Sequence, residues 1–385
     1  MGNARDLIFC NFVVWKETQW FWSINFNALF SRNIVSGEVK RQSEYSKKGN
    51  GTAYNNVVLY NNKIIAIPGR ERKIMIWDLE TECFRYIDLE IPFVKEDANA
   101  FFSYVASGKW LFMIGNEIPY VLKLDMDAER ILKVVNLDVP VTNRKAYFRD
   151  AVLDEEQLIV PLLGKNTVFE IDTDNLQWTK RNVGDSGDGF SAICRGIDSI
   201  WLMPERQSAV LQWYRESGRI IVHEIQKEGS RHQGFHSGHL IGKKIWVFPF
   251  RGNMVFSFDV ETGEFMKENA INRYIRALQL ETCAFRAVQV ERERERFYLL
   301  CFCADEWVRM IYDPERDKLE KAKLKCEVTY EELYKRGIEV VDEKDFPLEK
   351  FINYLMVHNF NGGKGFGPTK YGCGNQIWET IRGVS

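Results

Sequence analysis

Tyr54-Asn55-Asn56-Val57-Val58-Leu59, Lys63-Ile64-Ile65-Ala66-Ile67-Pro68, Lys73-Ile74-Met75-Ile76-Trp77-Asp78 and Cys83-Phe84-Arg85-Tyr86-Ile87 follow one another within a single stretch of the chain. Each is a short run rich in β-branched and aromatic residues, and turn-forming residues such as Asn61-Asn62 and Leu79-Glu80-Thr81-Glu82 separate them. Four such runs read as a four-stranded antiparallel unit. The same register returns from Phe235, through Lys244 to Pro249 and Met254 to Asp259, closing on Glu261-Thr262-Gly263-Glu264.

Counting outward from Tyr54 exposes a repeat. An aromatic residue precedes a proline by 13 or 14 positions at Tyr54/Pro68, Phe148/Pro161, Phe190/Pro204 and Phe235/Pro249. The aromatics at 54, 148 and 235 precede Asp78, Asp172 and Asp259 by 24. Looser copies start at Phe102, with Asp125, and at Phe285, with Asp313; in the Phe190 copy Arg215 takes the place of the Asp. A degenerate first copy starts near Phe12. The seven starting points are 42 to 50 residues apart. That period, with four strands per unit, predicts an all-β fold, a seven-bladed β-propeller over residues 7–325. Proline suits the end of the second strand, where no ladder donor is needed. The Asp closing the third strand is expected to accept amide hydrogens of the turn that follows.

Residues 326–385 leave the pattern. Thr329 and Glu332 form a capping box, Leu348–Met356 has an apolar stripe of helical period, and a glycine-rich loop from Asn361 to Gly374 precedes a short amphipathic tail. The expectation is a helical, Gly-rich C-terminal appendage packed on the propeller.

The repeat geometry resembles kelch and WD-type propellers, most of all bacterial kelch-like propellers. It departs from kelch in lacking a double glycine after the second strand, and from WD repeats in that Trp77-Asp78 stands alone. The resemblance therefore implies a fold and carries over no active site.

The 385 residues include 52 basic and 54 acidic side chains, a formal charge of −2 that argues against nucleic acid as a partner. Arg292, Arg294 and Arg296 alternate with Glu, as in a solvated hairpin. No apolar run is long enough to cross a membrane, and Leu7–Cys10 is too short for a signal sequence. Eight scattered cysteines without a CxxC read as free thiols, so the expected location is cytoplasmic.

Strand side chains alternate, so the residue after each repeat aromatic is expected to face the central channel. Those positions are Asn55, Ser103, Arg149, Ser191, His236 and Arg286, with Val13 in the first copy. They line channel water, or they form a site for an anionic or hydroxyl-rich ligand; arginine grips carboxylate or phosphate through two parallel bonds. The first reading is a binding propeller for a small anionic or sugar-like ligand or a protein or peptide segment. The alternative is a lyase, cyclotransferase or hydrolase acting on a carboxylated or phosphorylated substrate at the channel mouth, with His236 as acid–base group, Asp150 orienting it, and the arginines as clamps. Three of the five histidines fall at His232, His236 and His239, but glycines and strand register place them off a helix, with His236 and His239 on opposite faces, so no metal is expected. Asn361–Pro368 fits no phosphate-loop pattern, and no cofactor is expected.

Overall fold

A computed structural model describes residues 6–44, 52–92, 98–139, 146–184, 189–205, 209–225, 234–267, 269–278, 283–303, 306–322 and 326–329. The chain divides into two compact units, 1–326 and 327–385. Beyond 329 the second unit, with the expected capped helix, apolar stripe, glycine-rich loop and tail, lies outside the described residues.

The first unit holds seven antiparallel sheets. Blade 1 comprises Val13–Trp15, Thr18–Ser23, Ala28–Asn33 and Val39–Arg41. Blade 2 comprises Tyr54–Tyr60, Lys63–Pro68, Lys73–Asp78 and Cys83–Asp88. Blade 3 comprises Phe101–Ser107, Trp110–Gly115, Tyr120–Asp125 and Arg130–Asn136. Blade 4 has Val152–Asp154, Gln157–Pro161, Thr167–Asp172 and Trp178–Asn182. Blade 5 has Phe190–Arg195, Ile200–Pro204, Ala209–Trp213 and Ile220–Glu224. Blade 6 has Phe235–Ile241, Lys244–Pro249, Phe256–Asp259 and Phe265–Met266. Blade 7 has Cys283–Glu291, Arg296–Cys303, Glu306–Asp313 and Lys318–Lys321, and the short strand Arg251–Gly252 pairs with its inner edge. Each blade draws its four main strands from one contiguous stretch, so among the described residues no terminal strand is exchanged to close the ring.

Second and third strands are mostly apolar on both faces because each blade is pressed between two others. Ile65, Ile67, Ile74 and Ile76 of blade 2, for example, pack with Phe101, Met113, Leu122 and Leu124 of blade 3. Outer strands face solvent and read as charged, as in Cys83–Asp88. Blade 6 has a two-residue outer strand, and the helix Ala270–Ala277 follows it. Asn269 caps that helix by accepting from Asn272 N at 2.9 Å, and Asp317 of blade 7 accepts from Ala270 N at 2.7 Å.

The turn after the third strand behaves as expected. Oδ1 of Asp78, Asp125, Asp172 and Asp259 accepts the N–H groups two and three residues on, at 2.9–3.0 Å. Asn33 does the same in blade 1. Where blade 5 lacks the acid, Arg215 reaches into blade 4 and pairs with Asp154, Gln157 and Glu170. The turn amides of Thr81, Ala128 and Thr262 hold Asp78, Asp125 and Asp259 below the usual carboxylate range. A depressed folded-state pKa gives stability that is complete above about pH 4 and is lost as the pH falls through the depressed values. The urea midpoint should therefore drop on the acid side, and less steeply in a D78N/D125N/D259N variant; an unchanged acid limb would contradict the turn's role.

The cysteine expectation changes at one pair. Cys283 opens the inner strand of blade 7 and Cys303 ends the second, which sets them opposite each other with Cα atoms 5.1 Å apart, joined as a disulfide. Cys10, Cys83, Cys194, Cys301 and Cys326 are free.

Candidate functional site

Five of the seven blades, 2, 3, 5, 6 and 7, begin at the hub with the same irregularity. In blade 2, Tyr54 pairs with Pro68 and Asn56 with Ile67, so Asn55 is an extra residue in a β-bulge. Ser191, His236 and Arg286 occupy that position in blades 5, 6 and 7. In blade 3 Phe101 pairs with Gly115 and Ser103 with Ile114, which makes Phe102 the bulge residue and sets Ser103 one place further on.

A backbone bond confirms the alignment. The N–H just after the second strand donates to the carbonyl just before the hub aromatic: Ile24 to Ile8, Gly69 to Ala53, Asn116 to Ala100, Leu163 to Tyr147, Glu205 to Gly189 and Phe250 to Gly234, at 2.7–3.0 Å. The two residues are 16 apart in all six. Blade 1 thus aligns on Phe9, fully buried, and its hub residue is Cys10, while Val13 lies three places further in the inner strand. The spacing of 24 to the turn residue holds for Phe9/Asn33 and Phe101/Asp125, and would have found both. Two aromatics in a row, Phe101-Phe102, hid it in one blade and a surplus of them in the other.

The hub polar groups join blade to blade. Asn11 forms a two-way amide bond with the Val57 backbone, at 2.7 and 2.9 Å. Asn55 donates to Phe101 O and Asn56 to Phe102 O, and Asn116 donates to Phe148 O. Asp150 accepts from Ile193 N, and Ser191 accepts from Phe235 N. His236 meets Arg286 O, and Gln289 forms a two-way bond with the Phe12 backbone, at 2.8 and 3.0 Å. All seven blade junctions are spanned. Asn55 and Ser191 are buried in this role, at 2% and 0% exposure. Asp150 occupies the position that Asn11 holds in blade 1, its carboxylate accepting from Ile193 N and Ala151 N. Burial pushes Asp150 up to about 7.

Arg149, His236 and Arg286 come together. Arg149, from blade 4, lies over the Phe250 ring of blade 6 at 5.4 Å, and Phe250 is 40% exposed. Burial first, then the charges of Arg286 and Arg149, lower His236 to about 4, so its ring is neutral near pH 7. The Arg286 carbonyl can only accept, which assigns the proton to His236 Nε2. Nδ1 then accepts from Ser237 Oγ at 3.2 Å, and Ser237 Oγ accepts from His239 Nε2 at 3.0 Å. His236 and His239 thus share one hydroxyl, contrary to the opposite faces that simple alternation predicts; the bulge at His236 breaks the alternation. Among the described residues no three His, Cys, Asp or Glu side chains converge as a metal site, and no helix is long and apolar enough to cross a membrane.

Neither arginine is answered. Among the described residues Arg149 and Arg286 have no acidic partner, although both are only partly exposed. Two guanidiniums thus stand beside a neutral imidazole, and one of them lies over a partly exposed aromatic ring.

No protein-family model and no curated protein matches the chain. Solved structures do. A catalytically inactive H270A virginiamycin B lyase from Staphylococcus aureus, with quinupristin, superposes at TM-score 0.58 and 12% identity, over 78% of this chain and 94% of that one. A chain of the mitotic checkpoint complex gives 0.55 and 12%, over 80% and 88%. The extracellular domain of a two-component system from B. thetaiotaomicron gives 0.53 and 13%, over 78% and 37%. At these identities the likeness is one of fold. The chain is a seven-bladed β-propeller, an architecture shared by a lyase and by a chain of a protein assembly.

Proposed function

We propose that this propeller is a recognition module whose hub mouth takes a small anionic ligand between Arg149 and Arg286. The supporting observation is the pair of partly buried guanidiniums without a counter-charge beside His236. A half-buried cation left unanswered is costly, and an incoming carboxylate or phosphate relieves that cost through charge-assisted, forked hydrogen bonds. Neutral His236 adds no competing charge. Phe250, already against Arg149, offers a flat apolar edge to the rest of the ligand.

An acid–base role for His236 fits less well. Both ring nitrogens are engaged, and its pKa of about 4 leaves it unprotonated near neutrality. The enzyme reading, with Asp150 as orienter, also lacks the contact between these two residues that it needs.

The test is titration calorimetry with inorganic phosphate, citrate and a neutral disaccharide at low salt. At least one anion should bind and the neutral sugar should not. Arg149→Ala and Arg286→Ala should each weaken that binding about tenfold or more, the value of one charge-assisted contact. Failure of every anion to bind, or binding indifferent to both substitutions, would sink the proposal.

A further inference from the structure

The seam between blade 7 and blade 1 closes the ring, and it buries polar side chains beside its aromatic core. On the blade 1 side Gln19 and Arg32 are cross-strand partners, next to the pair Phe21 and Phe30. On the blade 7 side stand Tyr298 and Arg309. The segment Asp6-Leu7 threads between them: Asp6 Oδ1 lies 2.7 Å from Arg309 Nη1, Leu7 O accepts from Arg309 Nη2, and Leu7 N donates to Cys326 O at 2.7 Å.

Four buried polar atoms here have no hydrogen-bond partner among the described residues: Gln19 Oε1, Arg32 Nε, Tyr298 OH and Arg309 Nε. Their residues are 4%, 5%, 5% and 7% exposed. They share one environment, because Arg32, Arg309, Asp6 and Cys326 all act electrostatically on Tyr298, and the first three also act on Cys326. Burial raises both the Tyr298 phenol and the Cys326 thiol, so neither supplies a negative charge. Two guanidiniums then face a single carboxylate. Asp6 answers Arg309, and Arg32 has no ion pair among the described residues.

A buried guanidinium without a counter-charge is among the costliest arrangements a fold can hold. Water could satisfy the orphaned N–H and O–H donors, yet it cannot neutralise the excess charge. A compact monovalent anion does both.

We propose that the seam binds a halide ion, in cells chloride, held by Arg32 Nε–H, Arg309 Nε–H and the Tyr298 hydroxyl, and that this ion helps to lock blade 1 against blade 7. The site is separate from the hub mouth and does not depend on what binds there. It gives the three donors a common acceptor and balances the charges of Arg32, Arg309 and Asp6.

The test follows the thermal unfolding of the full chain in sodium chloride against sodium gluconate at constant total ionic strength. A ligand that binds the native state raises the midpoint with each decade of concentration above its dissociation constant. For a chain of this size the rise should be roughly 2 °C per decade of chloride, with bromide equivalent and gluconate without effect. Arg32→Met should abolish the chloride dependence, and in gluconate it should melt above the wild type because the unanswered charge is gone. Should that variant not fold, bromide-soaked crystals of the wild type decide, with an anomalous peak expected within hydrogen-bonding reach of Arg32 Nε, Arg309 Nε and the Tyr298 hydroxyl. Superimposable melts in the two salts, or no bromide peak in the seam, would overturn the proposal and leave ordered water as the occupant.

Discussion

Replacing Phe101 by alanine is expected to cost about 3–5 kcal/mol of unfolding free energy, the range for deleting a fully buried aromatic side chain. Phe101 is 0% exposed and packs into the core between blades 2 and 3 with Ile65, Ile67 and Leu122. Phe102→Ala should cost well under half as much, since Phe102 is the bulge residue and is only partly buried. The two neighbours are identical in chemistry, so helical or strand propensity cancels between the variants and only the register is compared. Urea unfolding of both under one set of conditions reads the difference directly. Equal losses, or the larger loss at Phe102, would return the hub register of blade 3 to the one that the bare spacing of aromatics suggests.

The second large effect is one of pH. Asp150 has a folded-state pKa of about 7, raised by burial against the pull of the Ile193 and Ala151 amides. An acid with a raised folded pKa binds its proton more tightly in the native state than in the unfolded chain. Its charged form therefore weakens the fold progressively as the pH rises from about 4 to about 7, and the loss is then complete. Three units at about 1.4 kcal/mol each set an upper bound of roughly 4 kcal/mol. Asp150→Asn keeps the acceptor that Ile193 N requires, as Asn11 does for Val57 N, and carries no charge. The variant should match the wild type near pH 4 and exceed it by up to a few kcal/mol at pH 8. Stability profiles that run parallel across this window would show that Asp150 is not the buried, proton-linked splint described above. This slope is opposite in sign to that of Asp78, Asp125 and Asp259, and lies above their window, so the two effects separate on one pH axis.

Much of the architecture was legible because it is written in short-range chemistry. The run from Tyr54 to Ile87 shows four strands, their turns and their buried middle pair, and the recurrence of Asp78 at Asp125, Asp172 and Asp259 marks a turn whose hydrogen bonds are purely local. The first and third copies were misaligned because an aromatic residue alone does not say which of several neighbours enters the core. Phe9 and Phe101 are marked by the spacing of 24 to Asn33 and Asp125 and, in the fold, by the backbone bond that joins the residue before each to the end of the second strand. Arg215 reads as a defect in the repeat, and becomes intelligible once Asp154 and Glu170 of the preceding blade are seen beside it.

The hub residues divide along the same line. The repeat carries Asn55, Ser191, His236 and Arg286 to one bulge position, and Arg149 follows the hub aromatic of blade 4 in the same way. What each does there depends on partners from other blades. Asn55 and Ser191 are consumed in joining blades, Asp150 turns into the wall, and Arg149 reaches Phe250 two blades away.

From the chain alone follow the number of blades, the run of strands within each and the closing turns, because periodicity and turn chemistry act over a few residues. Only the folded ring decides which polar side chains are spent on neighbours and which stay open, as Arg149 and Arg286 do. Burial and hydrogen bonding between distant segments settle that division, and neither is a property of any one stretch of sequence.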